Sequence, residues 1–298
     1  MRNPPFYRLT QFVAFLMGAK IFMVALLTFA LYVSTFFLFN QEESLRNFVF
    51  DVKVNGIIGC SVLSILAGGI INQFYDKEKD RVTRPFRTRL QNFLKQKYFL
   101  YAYLSLNIAS LTIAAVLSER VFIFFLIYQF LMWLYSHKLS KMLLINNLSF
   151  VGLSLYPFFG MLVYYKTFSL YIFLLSVFIF VMLLIIDITK DTLTKNADRI
   201  FGYRTIPNFF SVRTTNVILI FLLASALVVS GCIIYIQGMH FIMSYYFVVA
   251  IVMQIISLFL VLNPTRYSNI IVVNLMRIWI FVGILAMLAD GVLGYFLR

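Results

Sequence analysis

Nine stretches of the chain, at roughly 21–38, 54–75, 98–117, 121–136, 144–165, 168–187, 215–236, 241–262 and 270–290, are each apolar over about the 20 residues that one helical crossing of a bilayer needs. A backbone in hydrocarbon must satisfy its hydrogen bonds internally, which leaves helices or a closed barrel. The runs are about twice the length of a barrel strand and lack its alternation. The expected fold is therefore all-α, a polytopic membrane protein of about nine transmembrane helices in a single bundle. The loop-poor layout predicts one domain over residues 1–298. Composition agrees, since the chain is 62% hydrophobic and 12% charged, against about 45–50% and about 25% in soluble domains. An ordinary cytosolic enzyme, a disulfide-rich secreted domain and a disordered tail are excluded.

A net charge of +14 would suit a nucleic-acid partner if it lay on one surface. Instead, 18 Lys and Arg residues fall before the first span and in the even-numbered connections, and 5 in the odd-numbered ones and the C-terminal end. This asymmetry is the positive-inside pattern, so membrane lipids and not nucleic acid are the expected surroundings. It places the N-terminus in the cytoplasm and the C-terminus outside; the expected location is a bacterial or archaeal plasma membrane. Residues 1–20 lack a cleavage pattern and read as an interfacial lead-in. Cys60 and Cys232 fall within spans and are expected as small buried residues. His137 and His240 are too far apart in sequence to suggest a zinc site.

The chain has 11 acidic residues, and six of them open the two loops richest in Lys and Arg. After the second span comes Asn72-Gln-Phe-Tyr-Asp76-Lys-Glu-Lys-Asp80. Positions four apart drift about 40° around a helix, so Asn72, Asp76 and Asp80 share a face. After the sixth span, Asp191, Thr194 and Asp198 lie within about 40° of Asp187 on the helix wheel. Taken singly, any of these acids also fits a helix-terminal ion pair, such as Asp76 with Lys79 or Asp191 with Lys195. Two such faces on one side of the membrane call for a cation between the carboxylates. Hard oxygen ligands suit Mg²⁺, which keeps waters and shares its shell with substrate phosphates. Arg81, Arg84, Arg87 and Arg89 follow the first cluster, and Lys190, Arg199 and Arg204 surround the second. Guanidinium forks and lysine point charges bind phosphate. Acids for a divalent cation and bases for phosphate, at the mouth of an apolar bundle, describe a site for a diphosphate with a long apolar tail.

These residues resemble the UbiA superfamily of intramembrane prenyltransferases. Asn72, Asp76 and Asp80 match its NxxxDxxxD signature at the end of the second of nine helices, and Asp80-Arg-Val-Thr-Arg84-Pro85-Phe-Arg87 resembles the D-x-x-x-R-P-x-R continuation. Lys190-Asp191 and Asp198 match the second signature, KDxxDxxxD, followed by Gly202-Tyr-Arg204-Thr205-Ile-Pro207 in place of GxRTLP. Tyr135-Ser136 looks like the family's YS element. The resemblance implies a polyprenyl diphosphate held by Mg²⁺ on Asp76, Asp80, Asp191 and Asp198, with Asn72, Arg84, Arg87, Arg204 and Tyr135 on the diphosphate. It also implies catalytic roles for Asp76, Asp80, Lys190 and Asp191. Thr194 departs from the pattern, standing where the family usually has an aspartate, and Asp187 on the same face is positioned to take part in its place.

The run Asp187-Ile-Thr-Lys-Asp with Gly-Tyr-Arg-Thr-Ile-Pro looks most like the branch that alkylates geranylgeranylglyceryl phosphate in ether-lipid synthesis. The alternative within the family is prenylation of an aromatic quinone precursor. From another class, a transporter or scaffold on the same fold would place its charges near the bilayer midplane. Here the acids sit at span ends, and Arg277 and Asp290 lie towards the ends of the last span.

Overall fold

The apolar runs fold as helices, the arrangement that pairs every backbone N–H and C=O within a segment. The computed structural model describes residues 21–40, 44–86, 88, 96–239 and 241–296. The lead-in at 1–20, Arg87, Arg89 and His240 lie outside the described residues. Among the described residues there is no strand, and nine helical segments are long and apolar enough to cross a membrane. The protein is an all-α polytopic membrane protein.

Helix α1 (Ile21–Ser34) runs on into a π-helical turn, Thr35–Phe39. The short α2 (Leu45–Phe50) leads to α3 (Val52–Tyr75), whose N-cap Asp51 accepts the backbone N–H groups of Lys53 and Val54. Next come α4 (Lys77–Thr83), α5 (Gln96–Leu117) and α6 (Glu119–His137). They are followed by α7 (Ile145–Tyr165), α8 (Leu170–Ile200) and α9 (Ile206–Phe209). The last three are α10 (Val212–Gln237), α11 (Ile242–Leu262) and α12 (Arg266–Phe296).

Span ends agree with expectation to within a few residues, except at the sixth and ninth. Apolarity stops near residue 187, yet α8 continues to Ile200, and α12 likewise overruns 270–290 at both ends. Hydropathy marks where lipid ends, whereas a helix stops where its backbone is made to turn. For α8 that point is Gly202, whose φ of 75° suits a residue without Cβ. Its 31 residues span about 46 Å at 1.5 Å per residue, against about 30 Å of hydrocarbon. The helix is thus longer than the lipid core is thick, and its last turns, past the apolar run, carry the second acidic face.

The described helices pack as two compact units, residues of 1–32 with 43–140, and of 33–42 with 141–298. In the first, α3 packs against α5 and α6, which also pack on each other. Gly68 lets α3 approach α6, because a Cβ there would collide with the Met132 side chain. A buried polar chain joins the three helices. Ser110 Oγ donates to the Cys60 carbonyl at 3.1 Å and lies 3.0 Å from Ser64 Oγ, to which Gln129 Nε2 donates at 3.2 Å. Such bonds hold helices together where lipid supplies no hydrophobic drive.

In the second unit α8 touches α7, α9, α10 and α12, and α11 bridges α10 and α12. Gln254 Nε2 on α11 donates to Ser230 Oγ on α10 at 3.2 Å. Asp290 of α12 accepts the N–H of Ile242 at 3.0 Å, capping α11, whose own N-cap Phe241 has no side-chain oxygen. This acid is thus a helix cap supplied from another helix. Cys60 is buried as expected, but Cys232 is exposed, because it lies on the face of α10 away from its helix neighbours. The spans α3 and α8 are the two most buried of the nine, and each carries one of the acidic faces.

Candidate functional site

In the first unit, α3 ends at Tyr75 and α4 begins at Lys77, so the predicted face is not carried on one unbroken helix. Asp76 between them sits at φ −87°, ψ 3°. The four-residue hydrogen-bond register nevertheless continues through the junction. Asp76 N donates to Asn72 O at 2.9 Å, Asp80 N to Asp76 O at 2.8 Å, and Arg84 N to Asp80 O at 2.8 Å. Asn72, Asp76, Asp80 and Arg84 therefore stay stacked. Asn72 Nδ2 donates to Asp76 Oδ2 at 2.9 Å, and Arg84 Nη1 lies 3.9 Å from Asp80 Oδ1. Pro85 disfavours helical geometry at the residue before it, so Arg84 leaves the helix at φ −140°, ψ 60°. The acids here are half-buried and the arginine exposed. Tyr135 is half-buried in the last turn of α6. His137, one turn below Trp133, stacks on that ring at 5.3 Å and meets Tyr75 edge-on at 5.5 Å.

In the second unit the acids are nearly inaccessible, with Asp187 at 3%, Asp191 at 4% and Asp198 at 0% exposure. Carboxylates enter such surroundings only when paired or hydrogen-bonded. Lys190 Nζ donates to Asp187 Oδ1 at 3.0 Å and lies 5.5 Å from the Phe150 ring centre. Thr194 Oγ1 donates to Asp198 Oδ2 at 2.7 Å. The hydroxyl standing where the family has an acid therefore holds its neighbouring acid in place. Asn147, in the first turn of α7, donates through Nδ2 to Asp187 Oδ2 at 2.8 Å and to Asp191 Oδ2 at 3.1 Å.

After α8 the chain reverses at Gly202. Tyr203 N donates to Asp198 O at 2.8 Å and Arg204 N to Lys141 O at 3.2 Å. The turn bearing Arg204 is thus pinned to the segment before α7, and Lys141 Nζ lies 5.5 Å from the Tyr203 ring centre.

Among the described residues, no three His, Cys, Asp or Glu side chains converge closely enough to cage a metal. A closed zinc-type site is a poor fit. Mg²⁺ binds through one or two carboxylates, completing its octahedron with water and phosphate. The α8 face suits that demand. Lys190 offsets one of three buried negative charges, and the Oδ1 of Asn147 is a buried oxygen with no hydrogen-bond partner among the described residues. Arg204, exposed and just past the turn that Tyr203 ties to Asp198, and the part-exposed Lys190 are the basic residues available to a polyanion here.

Sequence periodicity located Asn72, Asp76, Asp80, Asp187, Asp191, Thr194 and Asp198. It missed Asn147, which belongs to neither acidic motif. The only sequence signal available was an Asn pair, Asn146 and Asn147, at the start of an apolar span, and both are buried.

Residues 48–281 match the UbiA prenyltransferase family. A stretch of 151 residues, 50% of this chain, is 28% identical to the digeranylgeranylglyceryl phosphate synthase of Thermococcus sibiricus. That stretch spans about half of the relative, 53% of its length. A solved structure from work on digeranylgeranylglyceryl phosphate synthase in membranes is similar with a TM-score of 0.72 at 17% identity, over 94% of this chain and 98% of that one. A UbiA homologue from Archaeoglobus fulgidus, bound to GPP and Mg²⁺, is similar with a TM-score of 0.64 at 16% identity, over 93% and 99%. At these identities the structural likeness establishes the fold.

Proposed function

The chain belongs to the UbiA prenyltransferase family, and on that premise we propose that it transfers a polyprenyl group, geranylgeranyl, from its diphosphate to a lipid-soluble acceptor, geranylgeranylglyceryl phosphate, in a Mg²⁺-dependent reaction. The observation that carries the reading is the buried oxygen face of α8, where Asp191 and Asp198 stand beside a single lysine. The acceptor rests on the name of the Thermococcus relative and on the motif run at 187–191 and 202–207.

In this reading Asp76 and Asp80 after α3, and Asp191 and Asp198 on α8, would serve as cation ligands, with Asp187 one turn before Asp191 on the α8 face. Asn72, Arg84, Arg87, Arg204 and Tyr135 bind the diphosphate. Mg²⁺, when bound, supplies electrophilic stabilisation of the charge that grows on the leaving diphosphate. Lys190 and Arg204 add fixed positive charge at the same place, pre-oriented and so without reorganisation at the moment of bond breaking. The C–O bond to the diphosphate breaks, the allylic cation is captured by the acceptor oxygen, and that oxygen loses its proton. The apolar helices exclude water that would otherwise quench the cation. Residues 1–298 act as one membrane domain, with the N-terminus and both acidic faces on the cytoplasmic side.

The test is an acceptor panel. Purified protein with geranylgeranyl diphosphate and Mg²⁺ is expected to release diphosphate with geranylgeranylglyceryl phosphate and to yield the di-ether mass. A prenylated aromatic acid instead would move the function to quinone-precursor synthesis, and no release with any acceptor would point to a transporter or scaffold. Asp76→Ala and Asp191→Ala are each expected to lower turnover by about 10²–10³-fold, the scale of losing one electrostatic stabiliser. Unchanged turnover in both would show the metal assignment to be wrong.

A further inference from the structure

Asn147 reaches the acidic face of α8 from a different helix, and neither acidic motif contains it. Its side chain is 2% exposed. One amide nitrogen serves two carboxylates a helical turn apart, at 2.8 Å from Asp187 Oδ2 and 3.1 Å from Asp191 Oδ2. Chemistry fixes the amide's orientation: ionised carboxylates only accept, so the NH₂ with its two donors must face them and the oxygen must face away. That oxygen is buried and has no hydrogen-bond partner among the described residues.

Asp187 has both oxygens engaged, Oδ1 by Lys190 and Oδ2 by Asn147. Asp191 has its Oδ2 held by Asn147. Two buried carboxylates at this spacing repel and would rotate apart without a bridge. A neutral amide bridges them without placing a competing positive charge where a cation is to bind. The segment that delivers Asn147 is itself strained. Leu144, just before α7, sits at φ 64°, ψ −45°, and Ile145 N donates to Leu143 O at 2.7 Å. This is a classic-type γ-turn, a rare conformation that persists only where its surroundings over-determine it.

We propose that Asn147 is a positioning residue for the divalent-cation site, holding Asp191 ready for the metal while Asp187 acts as the anchor that places both Asn147 and Lys190. The proposal rests on the metal reading of α8 given above. It assigns Asp187 to holding its neighbours in place, with Asp191 presented to the cation.

The test is Mn²⁺ binding to the purified protein in detergent without donor or acceptor, read by the loss of the free Mn²⁺ EPR signal. Asn147→Leu is expected to weaken Mn²⁺ binding about 10–100-fold, the usual effect of removing a residue that orients a ligand. In turnover the midpoint of the Mg²⁺ titration should rise by a similar factor, with kcat largely restored at saturating Mg²⁺. Asn147→Ser, which keeps one donor, serves where the leucine variant does not fold and should show a smaller weakening of the same kind. The double variant Asn147→Asp with Asp187→Asn exchanges the partners of one amide–carboxylate bond, and should bind Mn²⁺ more tightly than Asn147→Leu. Equal Mn²⁺ binding by wild type and the two single variants would overturn the proposal and leave the metal site standing. Wild-type protein that bound no Mn²⁺ would overturn the metal reading of α8, and this proposal with it.

Discussion

The two acidic faces are alike in sequence and unlike in construction. Each is a run of carboxylates at helical spacing after an apolar span, and each pairs an asparagine amide with an aspartate. At the end of α3 the partner is local: Asn72 reaches Asp76 one turn away, the acids are half-buried, and the Asp80 to Arg84 contact is long at 3.9 Å. On α8 the partner is remote: Asn147 comes from α7, 40 and 44 residues before the acids it holds, and the carboxylates are shielded from water. Burial changes what a charge pair is worth. An exposed pair contributes about 0–1 kcal/mol, whereas taking one partner from a buried pair costs about 3–5 kcal/mol by stranding the other charge.

The largest expected effect follows from that contrast. Lys190→Met strands the buried Asp187 and should lower stability by about 3 kcal/mol, a fall in thermal midpoint in detergent of several degrees. Arg84→Met, beside the more accessible Asp80, should cost less than about 1 kcal/mol. Equal losses in thermal midpoint would mean that the two faces do not differ in electrostatic environment.

A smaller effect is expected at Thr194. Thr194→Val removes the hydrogen bond to Asp198 and should cost about 1 kcal/mol, plus the penalty of leaving a buried acceptor less satisfied. Thr194→Asp places a second carboxylate one turn from Asp198. It should lower the thermal midpoint without Mg²⁺ and shift the Mg²⁺ titration of turnover to lower concentration, since the added charge is relieved by the cation. A Mg²⁺ titration that does not move would place residue 194 outside the coordination shell.

The smallest effect is reserved for Asn72. Because its bond to Asp76 is made within one helix end in half-exposed surroundings, Asn72→Ala should cost about 0.5–1.5 kcal/mol, an ordinary hydrogen bond. Loss of thermal stability as large as that of Lys190→Met would show the first face to be as tightly built as the second.

Much of this was legible in the sequence because it depends on period alone. Apolar length placed the nine spans, and the spacing of Asn72, Asp76 and Asp80, and of Asp187, Asp191, Thr194 and Asp198, placed each set on one face. The helix break at Asp76 did not disturb that inference, because the four-residue register runs through it. The continuation of α8 to Ile200 was hidden from hydropathy, which stops at the lipid boundary, although the wheel already assumed it. Asp290 read only as an acid towards the end of the last span, and its use as a cap for α11 depends on two helix ends meeting 48 residues apart. Cys232 was expected inside because its neighbours in sequence are apolar, but in a membrane helix apolar faces also point outward.

By itself, the sequence determined that the chain crosses a membrane as helices, which connections collect its basic residues, and which side chains share a helical face. Those properties follow from hydropathy and from the fixed angle per residue. Only the tertiary structure decided which acids are buried, that Lys190 is matched to Asp187, that Thr194 steadies Asp198, and that Asn147 bridges two carboxylates on another helix. These depend on which helices pack together, and no periodicity within one segment records the identity of its neighbour.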